Sequence, residues 1–525
     1  MNDALAATLW TRPNAGAVEQ YAAQELQRYL KQMTGQEIIV RHFAEVPSFP
    51  GIYLARGSGE ASVTWPSVWA RLPAEGYHLQ GNGAGALLMA SEPRGILFAA
   101  YRLLKHLGAR WFFPGSTGEI IPHINAIKVD GLLVTTSPVI AKRGVIMRGT
   151  DRLYPEWVDF APRIGLNAFC LETQQGIHTL PKLATGHGLE LWLRRHFYST
   201  SFCSQDERTL RWLETLTKGA VQSVPEAFDS VQLRPADSAN TRCLCPGDVQ
   251  YNLADQVMRF INRMANANRD VRKGLDFTYV AYQTTWGPPP TIEPAEGITL
   301  SMGVIHRCFN HAINDPSCWI NSTYKYQHPR GKNEYGLRPI LEELAQRFDV
   351  SRSTMVDYML GSPRFSHGHR APWQGRLPSS GGVIQRDIQY YNSLGIPSIW
   401  SFVIKVDDLY LQRFTSPSIY QWGDLLWDPK TDLHAGVCDF CRHYLGEEGL
   451  HVVFPLDELS DPEDATLEQW LDQSARLTKT LALVREAAAG ARNDLYRQRL
   501  TLLAAEQDLC LQATGEFARR LQSSK

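Results

Sequence analysis

The chain has no surplus of charge of either sign. Its 525 residues include 53 Lys and Arg against 54 Asp and Glu, a formal net charge of −1. Proteins that bind nucleic acids carry clustered basic side chains, and this sequence contains neither a basic patch nor an acidic tail. We therefore expect no nucleic-acid partner.

Long apolar runs are absent as well. No stretch approaches the roughly 20 apolar residues that a membrane-spanning helix requires, and residues 1–10 lack the basic start and apolar core of a signal peptide. The content of 44% apolar and 20% charged residues is typical of a soluble globular protein. We expect a cytoplasmic protein with no membrane partner.

Cysteine is scarce and irregularly placed. The nine cysteines are an odd number in a large chain, and most stand among apolar neighbours. That distribution is typical of reduced, buried thiols rather than of a disulfide framework. Two close pairs, Cys243/Cys245 and Cys438/Cys441, leave open a shared zinc site. The spacing of the first pair is one residue too short for the usual zinc motif, so we favour buried thiols and expect no cofactor and no metal.

Alternating strand and helix signals dominate the rest of the chain. The length predicts two or three domains. We expect an N-terminal α/β accessory domain over residues 1–135, a catalytic (β/α)8 barrel over 136–418 and a helical region over 419–525. The predicted fold class is thus α/β, a TIM-like barrel with accessory elements. Seven barrel strands are clear and one is weak: 143–148, 167–172, 186–192 (weak), 230–233, 276–282, 298–304, 354–358 and 398–403.

Carboxylates mark the ends of several predicted strands. In barrel enzymes the catalytic groups lie at the carboxyl ends of the strands. Asp237 stands in a Ser/Asn-rich loop just after Pro235, which ends the fourth strand because proline cannot donate to a ladder. The other acids at such positions are Glu172, Asp357, Asp407 and Asp408. For each of them an ion pair or a turn cap is the alternative role.

Four motifs of the first domain follow one another in a known order. They are Ala22–Gly35 (AAQELQRYLKQMTG), Gly76–Leu79 (GYHL), Pro93–Leu104 (PRGILFAAYRLL) and Gly108–Pro114 (GARWFFP). This part of the chain resembles the accessory N-terminal domain of glycoside hydrolase family 20 and of the family 67 α-glucuronidases. The resemblance implies a catalytic (β/α)8 barrel beside a domain that carries no chemistry itself.

A second set of motifs spans residues 140–450. It comprises SVQLRPADS (230–238) with Cys243 and Cys245, FIN (260–262), YVAYQ (279–283), residues 302–318, VDY (356–358) and LLWD (425–428). These motifs resemble the domain-of-unknown-function family 4838, whose members are regarded as glycoside hydrolases. The resemblance implies catalytic roles for Asp237 and Asp357. Val356 departs from the family's usual Trp beside the second acid. Glu172 rests on its strand position alone.

Histidines and aromatic residues near the strand ends are candidate sugar contacts. His187, His306 and His311 can bind hydroxyls, Tyr282, Trp286 and Trp373 can stack on sugar rings, and the resemblance places Arg307 where it could hold the carboxylate of an acidic sugar. Solvated loop histidines and core aromatics are the alternatives. The adjacent Asp-Glu pair that family 20 places at a strand end is missing there, which argues against family 20 chemistry.

The sequence thus predicts a glycoside hydrolase with carboxylate acid/base chemistry, whose substrate is an oligosaccharide or glycoside, with an acidic sugar as one option. A carbohydrate-binding protein on a barrel scaffold, or a metal-dependent sugar lyase using His306 and His311, is the alternative. The expected partner is a carbohydrate. The sequence leaves open the sugar, the linkage and whether the chain forms homo-oligomers.

Overall fold

The computed structural model describes most of the chain in fourteen stretches. These are residues 8–43, 50–56, 72–82, 85–198, 203–235, 242–282, 285–305, 307–309, 311–322, 336–360, 381–403, 417–449 (without 448) and 466–523. All structural statements below concern these residues.

The first domain is a six-stranded sheet with two long helices. The sheet order is β2-β1-β3-β5-β4-β8, with β4 antiparallel to its neighbours β5 and β8. The elements are β1 (Thr8–Thr11), α1 (Ala17–Thr34), β2 (Ile39–His42), β3 (Gly51–Arg56), β4 (Tyr77–Asn82), β5 (Gly85–Ala90), α2 (Pro93–His106), β6 (Arg110–Trp111), β7 (Glu119–Ile120) and β8 (Leu133–Thr136). The sequence predicts strands of this domain over 37–40, 51–55, 77–80 and 86–89, and the structure adds β1, β6, β7 and β8.

Helix α1 shows how local signals fix these elements. Glu19 accepts a hydrogen bond from the backbone N–H of Gly16 at 2.8 Å, and this contact satisfies a donor at the start of the helix. The helix ends at Gly35, which adopts φ +70°, a conformation that glycine takes without strain. Its apolar face, which includes Leu26, Leu30 and Met33, is fully buried. The apolar spacing from Val18 to Met33, with Gly35 as the stop, predicts this helix, and the structure confirms it.

The second part of the chain is a closed barrel of eight parallel strands. The order around the barrel is β10-β11-β12-β13-β14-β15-β16-β9, and every neighbouring pair is parallel. The strands are β9 (Lys142–Met147), β10 (Ala168–Leu171), β11 (Glu190–Tyr198), β12 (Ser230–Pro235), β13 (Leu275–Ala281), β14 (Thr299–Gly303), β15 (Thr354–Asp357) and β16 (Ser398–Phe402). The predicted barrel is confirmed, but its weak third strand, predicted over 186–192, lies later in the chain, at Glu190–Tyr198.

Helices surround the barrel and form the end of the chain. They are α3 (Tyr154–Phe160), α4 (Leu180–Leu183), α5 (Glu207–Gln222), α6 (Leu253–Asn268), α7 (Trp319–Ser322), α8 (Leu337–Arg347), α9 (Gly381–Ser393), α10 (Pro417–Trp427), α11 (Leu433–Phe440) with a π turn (Cys441–Leu445), α12 (Leu467–Gly490) and α13 (Asp494–Ser523). The predicted C-terminal helices are thus present. Within the described stretches, no helix combines the length and apolar character needed to cross a membrane.

A buried charged network joins the first domain to the amino-terminal end of the barrel. Arg143 of β9 is fully buried and donates from Nη2 to Glu75 at 2.6 Å. Asn167, just before β10, donates to the same carboxylate at 3.0 Å, and Arg94 of α2 pairs with it from the other side. Residues at the starts of β9 and β10 belong to the amino-terminal end, so the first domain packs against this end of the barrel.

Candidate active site

Alternation along the strands decides which side chains enter the barrel. Successive residues of a strand point to opposite faces. The inner face contains one apolar cluster, formed by Ile146, Ala168, Cys170, Val356, Trp400 and Phe402. The residues next to these in sequence, such as Phe169 and Met355, belong to the outer core under the helices. Counting from the inner cluster therefore identifies the side chains that face the barrel mouth.

Glu172 is an inward-facing carboxylate at the carboxyl end of the barrel. It follows β10, one inward position beyond Cys170, and its side chain is 9% exposed. Arg234 of β12 donates to Oε1, and Arg148, just after β9, donates to Oε2 at 3.3 Å. His196 of β11 lies beside the same carboxylate, with Nε2 at 3.8 Å from Oε1. Four adjacent strands thus converge on one carboxylate.

The surroundings of Glu172 keep it ionised. Burial alone raises the pKa of a carboxyl group. Here neighbouring His196 and the charges of Arg234 and Arg194 outweigh burial and lower the pKa of Glu172 from 4.5 to about 2. At neutral pH this side chain is therefore a carboxylate. It can serve as a nucleophile, a base or a partner for positive charge, and it cannot donate a proton.

Asp151 is a second carboxylate at the same end of the barrel. It lies in the turn after β9, where its Oδ2 accepts a hydrogen bond from Arg148 N at 2.8 Å. Burial raises the pKa of Asp151 and the charge of Glu172 adds to the effect, against the backbone hydrogen bond and charge of Arg148. Two carboxyl groups with opposite pKa shifts are the usual arrangement for acid and base roles.

Arg194 adds a positive charge inside the barrel. It comes from β11 and is 3% exposed, and its Nη2 donates across the barrel to Ser301 of β14 at 3.1 Å. Its guanidinium also faces the ring of Phe402 at 6.0 Å. Burial and the charge of Arg234 lower the pKa of Arg194 to about 10. Among the described residues Nη1 of Arg194 has no hydrogen-bond partner.

Aromatic rings complete the inner wall. Tyr358, just after β15, stacks on Phe402 with ring centroids 5.0 Å apart, and burial raises its pKa well above the usual value. Tyr282, one of the predicted sugar contacts, follows β13 and is half-buried. Its ring lies close to Gly303 of β14, where a Cβ atom would approach it to 3.0 Å. This wall offers ring surface beside the charged groups.

Asp357, predicted to be catalytic, points away from the barrel mouth. It follows inward-facing Val356 by one residue and is 1% exposed. Its Oδ2 accepts from Tyr391 at 2.9 Å and from Arg307 at 3.3 Å, and Tyr391 belongs to α9 on the outside of the barrel. The predicted strand end is right, but the side chain lies on the other face of the strand, because successive side chains alternate between faces.

Arg307 belongs to the same outer network. It is fully buried, and its three nitrogens donate to protein groups, namely the carbonyls of Cys308 and His311 and the carboxylates of Asp357 and Asp387. A guanidinium with this set of partners braces the loop after β14 against α9. The structure does not present Arg307 to a substrate carboxylate.

Three other predicted contacts are described by burial or by partners other than Glu172. His187 precedes β11, at the amino-terminal end of the barrel, where it stacks on Tyr21 of α1 and lies 3.3 Å from Asp159. Trp286 is 1% exposed and belongs to the core. His311 is half-buried, with Nδ1 at 3.2 Å from Cys308 Sγ. The expectations for Asp237, His306, Trp373, Asp407 and Asp408 fall outside the described residues.

Potential metal ligands form two groups among the described residues. One contains Cys308, His311 and Cys318, and the other contains Cys203, Cys243, Cys245 and Asp248. The second predicted cysteine pair belongs to neither, since Cys438 faces His434 and Cys441 lies buried in the π turn. The structure therefore does not support a zinc site shared by Cys243/Cys245 with Cys438/Cys441.

The sequence patterns do not identify five of these site residues, namely Arg148, Asp151, Arg194, His196 and Arg234. The signal was present in β11, where Trp192, Arg194 and His196 alternate with Leu191 and Leu193. The strand is predicted over 186–192, so Arg194 and His196 fall beyond its predicted end, and charged residues occupy inward positions where apolar side chains are usual in barrels. Inward charges at a strand end could have been taken as site residues.

Solved structures similar to this chain include three whose names describe carbohydrate-active enzymes. A family GH115 4-O-methyl-α-glucuronidase with specificity for decorated arabinogalactans matches with TM-score 0.61 and 10% identity, over 98% of this chain and 72% of that chain. A GH138 enzyme targeting pectin rhamnogalacturonan II matches with TM-score 0.54 and 9% identity, over 98% and 87%. A β-N-acetylhexosaminidase from Bacteroides fragilis matches with TM-score 0.51 and 12% identity, over 82% and 90%.

These likenesses establish the fold. No family model matches the sequence, and no curated protein sequence does. The resemblance to family 4838 therefore rests on the motifs quoted above. The alignments span 82–98% of this chain, so these structures share its overall fold.

Proposed function

We propose that this protein is a glycoside hydrolase whose substrate carries an acidic sugar next to the scissile bond. The observation that carries the proposal is the inward-facing carboxylate Glu172, held at the carboxyl end of a closed barrel by Arg148 and Arg234. Glycosidases need one ionised carboxylate beside the sugar ring and one protonated acid at the leaving oxygen. Glu172 is suited to the first role.

Asp151 and Asp237 are the candidates for the acid. Asp151 is supported by its raised pKa and by its closeness to Glu172. Asp237 is supported by its place in the sequence, just after β12, and by the family resemblance. In either case the protonated group would give its proton to the departing oxygen, while Glu172 acts on the sugar from the other side or through water.

Positive charge around the site supports an acidic substrate. Arg148, Arg194 and Arg234 bring three guanidinium groups to a single ionised carboxylate, so the mouth of the barrel attracts anions. Guanidinium groups bind carboxylates well because their donors match both oxygens. The structural neighbours include an α-glucuronidase, an enzyme class whose sugar is a uronic acid.

A non-catalytic carbohydrate-binding protein is the second candidate. One observation favours it, since both oxygens of Glu172 accept hydrogen bonds from Arg side chains. Such a carboxylate can be purely structural. A lyase that uses His306 and His311 has less support, because His311 lies against Cys308.

The test is a panel of aryl glycosides in matched pairs, each uronic acid beside the neutral sugar of the same configuration. We expect the wild-type protein to hydrolyse at least one uronide faster than its neutral counterpart. The Arg194→Met variant should lose this preference for the uronide. Binding of uronides without hydrolysis would favour the second candidate. Hydrolysis of neutral sugars alone would contradict the acidic substrate.

A further inference from the structure

Four potential metal ligands meet outside the candidate active site. Cys203 follows β11 in the chain, while Cys243, Cys245 and Asp248 follow β12, and one ligand atom from each lies within 4.8 Å of every other. Cys203 Sγ is 3.7 Å from Cys245 Sγ, which in turn is 3.7 Å from Asp248 Oδ2. Tetrahedral zinc with Zn–S bonds of about 2.3 Å requires sulfur atoms about 3.8 Å apart.

We propose that Cys203, Cys243, Cys245 and Asp248 bind a structural zinc ion that fastens together the loops after β11 and β12. Three soft thiolates select zinc over calcium or magnesium, which prefer oxygen ligands. The proposal differs from the expectation that the sequence alone gave, in which these thiols were buried and bound nothing. It does not depend on the proposed function.

Hydrogen bonds within the protein orient the ligands of this loop. Asp248 N and Val249 N both donate to the carbonyl of Cys245, at 3.0 and 2.9 Å, so one tight turn places Cys245 and Asp248 on the same side. Gln256, buried on α6, accepts from Cys243 N and donates to the carbonyls of Cys243 and Asp248, each at 2.9 Å. Ligands held in this way lose little freedom when a metal binds.

Asp248 has the partners that a ligating carboxylate needs. It is 1% exposed, its Oδ2 accepts from Ser204 N at 2.7 Å, and its Oδ1 accepts from Arg259 at 2.8 Å. Such outer contacts orient a carboxylate toward its metal. Three thiolates and one carboxylate leave a zinc site with net negative charge, and Arg259 offsets part of it.

A disulfide bond between two of these cysteines is the alternative to metal binding. A disulfide would bring two sulfur atoms to about 2.05 Å and would leave the third thiol over. The arrangement of three thiols and a carboxylate is better suited to a metal. The chain between Pro235 and Cys243 contains Asp237, so a zinc ion would anchor the far end of the segment that carries this candidate acid.

The experiment measures metal in the full-length protein purified without chelator or affinity metal. We expect about one equivalent of zinc per chain, and cobalt-substituted protein should show thiolate-to-cobalt charge-transfer absorption and the intense visible bands of tetrahedral cobalt. Zinc-free protein without those cobalt bands under reducing conditions would overturn the proposal. So would a Cys203–Cys245 disulfide found by mass spectrometry of the freshly purified protein.

Variants locate the site. Cys243→Ser and Cys245→Ser should lose the zinc, whereas Cys438→Ser, a half-buried thiol outside both ligand groups, should keep it. Asp248→Asn should fold and bind zinc about 10- to 100-fold more weakly. Zinc that persists in Cys243→Ser and disappears in Cys318→Ser would place the metal in the other ligand group and overturn the proposal. If a cysteine variant does not fold, the cobalt spectrum of the wild-type protein and the zinc affinity of Asp248→Asn still test whether this group binds zinc.

Discussion

A single residue step separates the two roles that acidic residues take in this barrel. Glu172 and Asp357 both stand at strand ends, as the sequence indicates. Glu172 faces the mouth among arginines, while Asp357 faces α9 and Arg307. Sequence position alone cannot separate them, because a strand end assigned one residue off moves a side chain to the other face.

Glu172 should make the stability of the protein depend on pH. Its pKa is lowered from 4.5 to about 2 on folding, so its ion pairs stabilise the native state above the unfolded value. This contribution is present at neutral pH and is lost as pH falls from 4.5 towards 2. We predict that Glu172→Gln lowers the free energy of unfolding at pH 7 and that the difference from wild type shrinks by pH 3. Urea unfolding at both pH values measures it, and an equal difference at both would contradict the assignment.

Asp357→Asn should lower the free energy of unfolding and leave turnover unchanged. Arg307 keeps Asp387 as a partner in this variant, so we expect a loss of about 1–3 kcal/mol, the cost of weakening one buried charged hydrogen bond. Arg307→Met leaves two buried carboxylates without their cation, and we expect a loss of about 3–5 kcal/mol. Denaturant unfolding and turnover per folded molecule measure both variants. A folded Asp357→Asn protein without activity would show that this carboxylate takes part in the reaction.

At the scale of the element, the charged side chains of β11 are the site residues that the sequence pattern identified least well. Its inward positions hold Trp192, Arg194 and His196, and its outward positions hold Leu191 and Leu193. The other strands were predictable because apolar residues dominate them and turn signals bound them. A strand selected for binding departs from that pattern, so fold signals are weakest where the site lies.

Arg194 should lower the stability of the folded protein and strengthen the binding of an acidic substrate. Its guanidinium is buried, its Nη1 has no partner among the described residues and its pKa is lowered to about 10, so removing the charge relieves desolvation. We predict that Arg194→Met keeps or raises the melting temperature and raises KM for an acidic glycoside by about tenfold or more, the value of one charged hydrogen bond. Arg195→Met, on the opposite face of β11, is the matched control and should leave KM unchanged. Equal effects of the two variants would contradict a binding role for Arg194.

At the scale of the whole molecule, the first domain and the candidate site lie at opposite ends of the barrel. The architecture was predictable from the sequence, since eight alternating strands and helices close in only a few ways. The contacts between the parts were not, because the network of Glu75, Arg94, Arg143 and Asn167 joins residues that are far apart in the chain. The boundaries at residues 135 and 418 remain predictions.

The interface between the domains should be structural. Glu75→Gln would leave Arg143 fully buried without its ionised partner, and we expect a loss of about 3–5 kcal/mol. Turnover of the folded fraction should be unchanged, because Glu75 lies at the amino-terminal end of the barrel. Thermal unfolding and turnover on the same sample measure the two effects. A stable Glu75→Gln protein without activity would show that the first domain influences the reaction.

The most direct test of the account is the turnover of Glu172→Gln on the best uronide substrate, with Asp357→Asn as its control. Loss of a group that acts on protons in the reaction costs about 10²- to 10⁴-fold, and we predict at least that loss for Glu172→Gln, with the circular dichroism spectrum retained. Asp357→Asn should keep turnover within a few-fold of wild type. A folded Glu172→Gln protein with wild-type turnover would contradict the central claim that this carboxylate is catalytic.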